Sequence, residues 1–281
     1  MYRIVTRAQF SPVTYLWELH APDIAKTAGP GQFVIVRHGE KGERIPLTVA
    51  DSDRTKGTIT LVIHAVGKTT YTLMELQQGE FVDEVFGPLG NARHCGRLNK
   101  VICVGGGVGV AGVYPHLCEY WGMGARTISI MSFVTRDLMF WVDRFKARSD
   151  DCIVCTDDGS FGVKRPAAEA LQEVLEKHQD IDEVLAIGSL VMMKACAELT
   201  RPRSIRTVVS VKPIIVDGIG LCGGCRVTVG GQRKYACLDG PEFDGHEVDF
   251  EELALRMKRF EREERESLRL YQECRHTSRS V

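Results

Sequence analysis

The stretch Asp217-Gly-Ile-Gly-Leu-Cys222-Gly-Gly-Cys225, followed later by Cys237, decides how the rest of the chain is interpreted. It places one carboxylate and three cysteines in a segment rich in glycine. Thiolates are soft ligands that suit iron–sulfur clusters, and an anionic carboxylate can also ligate iron. The glycines let the backbone wrap closely around a bound group, because they have no Cβ atoms to clash. The stretch therefore predicts a metal centre.

The spacing of these residues is Asp-x4-Cys-x2-Cys-x11-Cys. It matches the plant-type ferredoxin pattern, which holds a 2Fe–2S cluster, with aspartate in place of the first cysteine. A zinc site and a disulfide are the alternatives. Zinc prefers two separated pairs of Cys or His ligands, and the second pair is missing here. A disulfide is rare in the reducing compartment that ten scattered cysteines without a signal sequence indicate.

Length and composition describe an ordinary globular chain. Its 281 residues are enough for two domains, and its formal net charge is −1. Such a balance argues against binding to nucleic acid or to an anionic membrane surface. The chain starts directly in a strand-like run with no signal-peptide layout, so a cytoplasmic location is expected. An uncharged run at 101–118 is long enough to span a membrane, but its glycines and Pro115 fit a strand, a turn and a helix better.

Short strand patterns separated by glycine and proline turns fill residues 1–97 and predict a β-barrel. The strongest of these patterns is at 58–65. Two polar spots stand out, Arg44-Ile-Pro-Leu-Thr48 and the Gly-Lys-Thr-Thr sequence at 67–70, which opens a short predicted helix. Because helix N-termini attract phosphate, a cofactor with a pyrophosphate would use both spots. A capped surface helix is the alternative.

Strand and helix patterns alternate over residues 98–211, which predicts a parallel sheet with helices on both faces. The apolar run at 100–104 leads into Gly105-Gly-Gly-Val-Gly109 and a helical pattern. Strand, glycine turn and helix in this order favour binding of a nucleotide phosphate. The spacing departs from the strict dinucleotide fingerprint and lacks its downstream acidic residue, so a simple Rossmann domain is not predicted. A second candidate, Asp157-Asp-Gly-Ser160, follows another strand, where α/β sheets bind their ligands.

The order of barrel, nucleotide-binding α/β unit and ferredoxin-like cysteines resembles the ferredoxin–NADP reductase superfamily. More closely, it is similar to electron-transfer subunits of dihydroorotate dehydrogenase and to small subunits of NADH-dependent ferredoxin:NADP oxidoreductase, which are also called sulfide dehydrogenase subunits. The resemblance covers nearly the whole chain. It implies four parts: an FAD-binding barrel at 1–97, an NAD(H)-binding domain at 98–211, a 2Fe–2S segment at 212–246, and a C-terminal helix and tail at 247–281.

The resemblance also implies which residues hold each cofactor. Those expected at the FAD are Arg44, Pro46, Leu47, Thr48, Ala65, Val66, Gly67, Thr69 and Thr70. Those expected at NAD(H) are Gly106, Gly107, Val108, Gly109, Asp157, Asp158, Gly159, Ser160, Gly188 and Ser189. Serine at 189 departs from the proline of the family's turn near the nicotinamide. The expected cluster ligands are Asp217, Cys222, Cys225 and Cys237. No catalytic acid or base is expected, because the cofactors carry the chemistry.

The implied function is that of an oxidoreductase subunit that passes electrons between NAD(H), FAD and a 2Fe–2S cluster. Its expected partner is a larger flavin and 4Fe–4S subunit, similar to the glutamate synthase small chain, which connects it to ferredoxin and NADP(H) by electron bifurcation. Asp217 favours this relative, since the dihydroorotate dehydrogenase subunit is expected to have cysteine there. The alternatives are that subunit, a sulfide or polysulfide dehydrogenase subunit, and a non-enzymatic redox sensor. The charged run at 261–266 is a solvated helix or an arm that docks on the partner.

Overall fold

A computed structural model describes residues 1–40 and 42–278. The last residues of the predicted tail, 279–281, lie outside this part of the chain. The described residues form two large sheets, a small hairpin and eight α-helices. This architecture confirms the predicted combination of a β-barrel with a parallel α/β sheet.

The N-terminal sheet is antiparallel and nearly closes on itself. Its strands are β1 (Tyr2–Ser11), β2 (Thr14–His20), β3 (Phe33–Arg37), β4 (Ile45–Asp53), β5 (Thr58–His64), β6 (Phe81–Val82) and β7 (Glu84–Leu89). They pair in the order β6-β1-β2-β5-β4-β3-β7. Because only Asp83 separates β6 from β7 along the chain, the two edges of the sheet meet. The helices α1 (Pro22–Thr27) and α2 (Lys68–Met74) accompany this barrel.

Strand β5 is apolar along its length because both of its faces are buried. Alternate side chains of a strand point to opposite faces. Ile59, Leu61 and Ile63 pack inside the barrel. Val62 points the other way and joins a second core with helices of the α/β domain. Burial on both faces explains why this stretch has the strongest strand pattern of the first third.

The second sheet is parallel except for its last strand. It contains β8 (Lys100–Gly106), β9 (Arg126–Phe133), β10 (Asp151–Thr156), β11 (Val163–Lys164), β12 (Glu183–Ile187), β13 (Arg206–Ser210) and β16 (Glu242–Asp244), in the order β11-β10-β9-β8-β12-β13-β16. Its helices are α3 (Gly109–Gly122), α4 (Val142–Lys146), α5 (Ala167–Lys177) and α6 (Leu190–Thr200), with short 3-10 helices at Arg136–Leu138 and Arg201–Arg203. The antiparallel edge strand β16 comes from the predicted cluster segment and pairs with β13, so that segment is joined to the α/β sheet.

The C-terminal part contains a hairpin and two helices. These are β14 (Arg226–Val229), β15 (Gln232–Tyr235), α7 (Phe250–Met257) and α8 (Glu261–Ser278). Helix α8 is polar and returns to the barrel, where Tyr271 and Arg275 contact Glu75 just after α2. Within the described residues, no helix combines the length and the apolar character that crossing a bilayer would require.

One hydrophobic core joins all three parts of the chain. It contains Phe33 and Ile35 of the barrel, Val104 of the central strand β8, and the buried Cys225 and Cys237. The loop at 217–225, here called the cysteine loop, is therefore supported where the barrel and the α/β sheet meet. A group held by that loop would lie beside both domains.

Candidate functional site

A cavity of about 310 Å³, here called the main cavity, lies between the barrel and the α/β domain. Among the predicted FAD residues it includes Pro46, Leu47, Thr48, Val66 and Thr70. Its walls are mostly apolar, as expected for a site that takes up a flat aromatic group. The other residues that line it are Phe33, Ile45, Val62, Ile63, His64, Val108, Ala111, Gly112, Ser210, Val211, Lys212, Pro213, Ile215 and Pro241.

Helix α3 forms one side of the main cavity because two of its glycines allow close packing. A Cβ atom at Gly109 would lie 2.2 Å from the carbonyl oxygen of Ile187 in β12, a distance that no side chain tolerates. A Cβ atom at Gly112 would lie 3.8 Å from the methyl carbon of Thr48 in β4. The helix is therefore pressed against the sheet on one side and faces the predicted flavin-binding strand on the other.

The hydroxyl groups of the predicted pyrophosphate segment are engaged in local bonds. Thr70 Oγ1 accepts hydrogen bonds from the backbone N–H groups of Val66 at 2.9 Å and Gly67 at 3.1 Å. It also donates to the Gly67 carbonyl at 2.9 Å. The neighbouring Thr69 donates to Glu43. Thr70 thus shapes the turn that opens α2, and Ala65, Gly67 and Thr69 lie beside the main cavity without lining it.

Arg44 lies apart from the main cavity. It lines a second cavity of about 390 Å³ together with Asp217 and Ile219 of the cysteine loop. Four residues of extended strand span about 13 Å, which separates Arg44 from Thr48 even though both belong to one motif. The structure therefore places this predicted FAD contact beside the predicted cluster, and a long cofactor would be needed to touch both residues.

A third cavity, of about 380 Å³ and here called the nucleotide cavity, lies at the carboxyl edge of the parallel sheet. Four predicted NAD(H) residues line it, namely Gly106, Gly107, Asp157 and Ser189. The other lining residues are Ser132, Phe133, Val134, Pro166, Ala167, Ala168, Val191, Met192 and Ala195. Met192, which packs against the core, also shapes this cavity. A Cβ atom at Gly106 would lie 2.7 Å from its sulfur, and one at Gly188 would lie 2.6 Å from its methyl carbon.

The turn after β10 holds a carboxylate in place. Ser160 donates to Asp158 Oδ1 from its hydroxyl at 2.6 Å and from its backbone N–H at 2.9 Å. These two bonds, the hydroxyl bond foremost, lower the pKa of Asp158. The Ser160 hydroxyl also accepts from the backbone N–H of Arg136 at 2.8 Å. Gly159 has a φ of 78°, which favours glycine at this point of the turn. The turn thus presents a fixed negative charge beside the sheet edge.

The glycine turn between β8 and α3 separates the two cavities. Gly106 and Gly107 line the nucleotide cavity, while Val108, the next residue, lines the main cavity. Gly107 has a φ of 54°, a left-handed conformation that glycine adopts without strain. Groups bound in the two cavities would therefore be neighbours across a single turn.

Three of the four predicted cluster ligands lie on the cysteine loop, and the fourth, Cys237, follows the hairpin of β14 and β15. Their surroundings differ. The sulfur atoms of Cys225 and Cys237 are buried and 3.2 Å apart. Cys222 is exposed, and its sulfur accepts from the backbone N–H of Gly224 at 3.4 Å. Asp217 accepts backbone hydrogen bonds from Ile219 at 2.9 Å, from Gly220 at 3.2 Å and from Cys222. Desolvation raises the pKa of Asp217, but the backbone bonds outweigh it and lower the pKa.

The loop fits a 2Fe–2S cluster by its donor set and by its backbone. Among the side chains that the structure describes, at 1–40 and 42–275, no three His, Cys, Asp or Glu residues converge on one ion. The four ligands of a 2Fe–2S cluster divide between two irons, so a close pair such as Cys225 and Cys237 is the relevant geometry. Gly218, Gly220 and Gly223 have φ values of 74°, 82° and 63°, which only glycine adopts readily. The loop is therefore built around conformations that other residues would resist.

A buried ionic network between Arg93 and the parallel sheet was not foreseen from the sequence. Arg93, in the connection between barrel and sheet, pairs with Glu183, whose side chain is 1% exposed. Tyr120 donates to Glu183 at 2.6 Å and accepts from Arg93 at 2.9 Å. His116 Nε2 lies 2.6 Å from Glu242 Oε1, a close ionic contact whose angles fall outside those of a regular hydrogen bond. No local sequence pattern brings together residues so far apart along the chain.

His116 gives the protein a predicted pH dependence. Burial lowers the pKa of His116, but the Glu242 carboxylate outweighs it and raises the pKa to about 9. Since the folded-state pKa is above the unfolded value, this stabilisation is complete below about pH 6.5 and is lost as the pH rises through 9. We expect the unfolding free energy to fall by on the order of 3 kcal/mol across that window. Urea unfolding at several pH values measures this fall.

The matched controls for this prediction are two histidine variants. His116→Gln should flatten the dependence between pH 6.5 and 9, because the titrating group is gone. His20→Gln, at an exposed position, should keep the wild-type slope. An equal slope in wild type and His116→Gln would show that the pair with Glu242 does not shift the titration.

Lys212 is the second feature that sequence reasoning missed. Among the described residues that line the main cavity, it is the only one with a formal charge at neutral pH. The signal that could have found it is a single basic residue in the apolar run at 211–216, directly after β13. Removing a charged amine from water costs free energy unless an anion pairs with it.

Comparison with known proteins supports the predicted cluster and fold. A family model described as the iron–sulfur cluster binding domain of dihydroorotate dehydrogenase B matches residues 212–249, which confirms the predicted iron–sulfur character at the level of the family. A phthalate dioxygenase reductase shares 16% identity with a TM-score of 0.62, covering 81% of this chain and 85% of that chain. This likeness concerns the fold alone and confirms the ferredoxin-reductase-like architecture.

Three relatives are similar over nearly the whole chain. The dihydroorotate dehydrogenase B electron transfer subunit homolog of Thermotoga maritima is 41% identical over 262 residues, 93% of this chain and 92% of that protein. The electron transfer subunit of Geobacillus thermodenitrificans is 31% identical over 257 residues, 87% of this chain and 96% of that protein. A solved structure of the NADH-dependent reduced ferredoxin-NADP oxidoreductase, studied for flavin-based electron bifurcation, is 40% identical with a TM-score of 0.91, covering 96% of this chain and 98% of that chain. The chain therefore belongs to the family of dihydroorotate dehydrogenase B electron-transfer subunits and their homologues.

Proposed function

We propose that this chain is an oxidoreductase electron-transfer subunit that uses FAD, a 2Fe–2S cluster and NAD(H). The observation that carries the proposal is the shared glycine turn, where adjacent residues line the main cavity and the nucleotide cavity. A bound FAD would supply hydride acceptance from NADH and release of single electrons, which is the chemistry that an iron–sulfur acceptor needs. The chain's own contribution is to hold these groups side by side.

Each cavity has residues for a separate task. In the main cavity, Thr48 on β4 and the turn shaped by Thr70 would orient the flavin, with α3 closing the other side. In the nucleotide cavity, Gly106 and Gly107 allow a nucleotide close to the backbone. The apolar lining of both cavities excludes water from the space between the bound groups. With no acid or base required, the arrangement supports electron transfer rather than substrate chemistry.

The cysteine loop would hold the cluster through Asp217, Cys222 and Cys225, together with Cys237 after the hairpin. Asp217 and Ile219 of this loop line the same cavity as Arg44 of the barrel, which places the loop beside the predicted flavin-binding strand. The position of Cys225 and Cys237 in the core between barrel and sheet supports a fixed distance between flavin and cluster. Electrons would leave through the exposed side of the loop, where Cys222 lies.

As an electron-transfer subunit, the chain works in a larger complex, and we propose that the partner is a larger flavin and 4Fe–4S subunit. The solved structure at 40% identity supports an NADH-dependent reduced ferredoxin:NADP oxidoreductase with electron bifurcation. Asp217, in place of the cysteine expected in the dihydroorotate dehydrogenase subunit, supports the same choice. The second candidate is that dehydrogenase, supported by the names of relatives at 41% and 31% identity. We propose a cytoplasmic location for either complex.

Anaerobic purification of the native complex tests the proposal. We expect FAD, iron and sulfide in near-stoichiometric amounts, flavin bleaching by NADH, and NADH-dependent reduction of NADP when reduced ferredoxin is supplied. Co-purified subunits are identified by mass spectrometry. Oxidation of dihydroorotate by the complex would establish the second candidate instead, and a colourless protein without flavin or iron would favour the non-enzymatic sensor.

A further inference from the structure

Lys212 occupies a fixed position on the wall of the main cavity. It is the second residue after the end of β13. The residue between them, Val211, is buried and donates its backbone N–H to the Pro241 carbonyl at 2.9 Å. Pro213 follows and restricts the backbone of Lys212 to extended conformations. The backbone at Lys212 is therefore restrained by the hydrogen bond of Val211 before it and by Pro213 after it.

The register of the sheet places Lys212 near the nucleotide cavity. Val209 of β13 pairs with Ala186 of β12, so the positions three residues further along, 212 and 189, leave the sheet side by side. Ser189 lines the nucleotide cavity. The part of a flavin that reacts with a nicotinamide must lie at this edge of the sheet. Lys212 is thus on the side of the main cavity where the reacting ring belongs.

Lys212 has no partner of its own. Throughout the described part of the chain, no carboxylate forms an ion pair with it, and its amine makes no hydrogen bond. The surrounding protein lowers the pKa of its amine by desolvation. The side chain nevertheless has accessible surface, and we take this surface to be the part that lines the cavity. An anion placed beside the amine would favour its protonated form and be stabilised in return.

On the basis of the proposed function, we propose that Lys212 stabilises the negative charge of the reduced flavin ring and thereby sets its reduction potential. Hydride transfer from NADH converts neutral FAD into an anion, FADH⁻, and releases NAD⁺. A preorganised cation acts on charge that develops during the reaction, and it acts strongly in a site with few other polar groups. Lys212 therefore favours the reduced flavin over the oxidised one.

The test compares Lys212→Met with Lys212→Arg in the full-length holoprotein. We expect Lys212→Met to weaken the preference for reduced over oxidised flavin by about 10-fold or more, a fall in the two-electron midpoint potential of roughly 30 mV. Lys212→Arg keeps the charge and should stay close to wild type. Lys26→Met, at an exposed position on α1, is the control for loss of a lysine elsewhere. Flavin absorbance is followed in anaerobic titrations against a reference dye, and FAD retention is measured by fluorescence after denaturation.

The outcomes separate this inference from the proposed function. If Lys212 instead contacts the FAD diphosphate, its loss would weaken the binding of oxidised and reduced FAD equally. Lower FAD retention in Lys212→Met with an unchanged midpoint potential would therefore overturn the inference. An unchanged potential with full FAD retention overturns it as well, while the proposed function stands. Wild-type protein that binds no FAD would overturn both.

Discussion

Replacing Cys225 by alanine is expected to remove the iron–sulfur cluster while leaving the flavin bound. Cys225 is buried, and its sulfur lies 3.2 Å from that of Cys237, so alanine removes one half of the closest ligand pair. Loss of a ligand should lower cluster occupancy by more than the roughly 10- to 100-fold that loss of an outer-shell partner costs. Cys225 does not line the main cavity, so the substitution leaves the residues expected to bind FAD in place. Iron and sulfide analysis, with the visible spectrum, measures the cluster, and released flavin fluorescence measures FAD.

Asp217→Cys is the variant that distinguishes a ligand from a structural residue. If Asp217 ligates iron, cysteine restores the full plant-type pattern, and the protein should keep a cluster with a changed potential. Cys152→Ala, outside the loop on β10, should leave both occupancy and potential as in wild type. A cluster of unchanged occupancy and potential in both Cys225→Ala and Asp217→Cys would refute the assignment. Loss of the cluster in Asp217→Cys would instead show that the aspartate shapes the loop through its backbone bonds.

Arg93→Met is expected to cost about 3–5 kcal/mol of unfolding free energy, because it leaves a buried carboxylate without its main cation. The Glu183 side chain is 1% exposed and the Arg93 side chain 12% exposed, so water cannot replace the lost charge. Arg206 remains 3.3 Å from Glu183, but it is largely exposed and compensates weakly. Urea unfolding under fixed buffer conditions measures the loss.

Two further variants define this prediction. Arg37→Ala removes a partly exposed arginine that pairs with the exposed Glu84, and a pair at the surface contributes little to stability. Arg93→Met combined with Glu183→Leu removes both buried charges and should recover part of the loss, because the unpaired carboxylate is gone. A loss in Arg93→Met no larger than in Arg37→Ala would mean that the buried pair does not hold barrel and sheet together.

The elements that could be predicted from the sequence are those in which the pattern of apolar residues reflects the burial of the element. Strand β8 is an apolar run because helices cover both of its faces. Strand β5 is one because it lies between two cores. The glycine turn and the cysteine loop are local features, since their residues act within a few positions of one another. In the turn and the loop, the residues that act together are close to one another in the sequence, so the sequence alone is enough to predict them.

The features that escaped prediction depend on distant partners. Strand β16 has only three residues and no apolar run, and it exists because β13 offers an open edge. The contact between His116 and Glu242 joins α3 to that same strand. Arg44 and Thr48 share one motif, yet an extended strand sends them to different cavities. Lys212 lines the main cavity only because the barrel packs beside it, and the sequence near Lys212 does not show that packing.

Electrons from NADH are expected to pass through the flavin to the cluster beside the cysteine loop. The most direct measurement mixes NADH anaerobically with the complex, in flavin-loaded and flavin-depleted forms, and follows flavin bleaching by absorbance and the cluster by electron paramagnetic resonance. We predict that the flavin bleaches first, that the signal of the reduced cluster follows, and that the flavin-depleted form shows no such signal. Reduction of the cluster by NADH at the same rate without flavin would contradict the account.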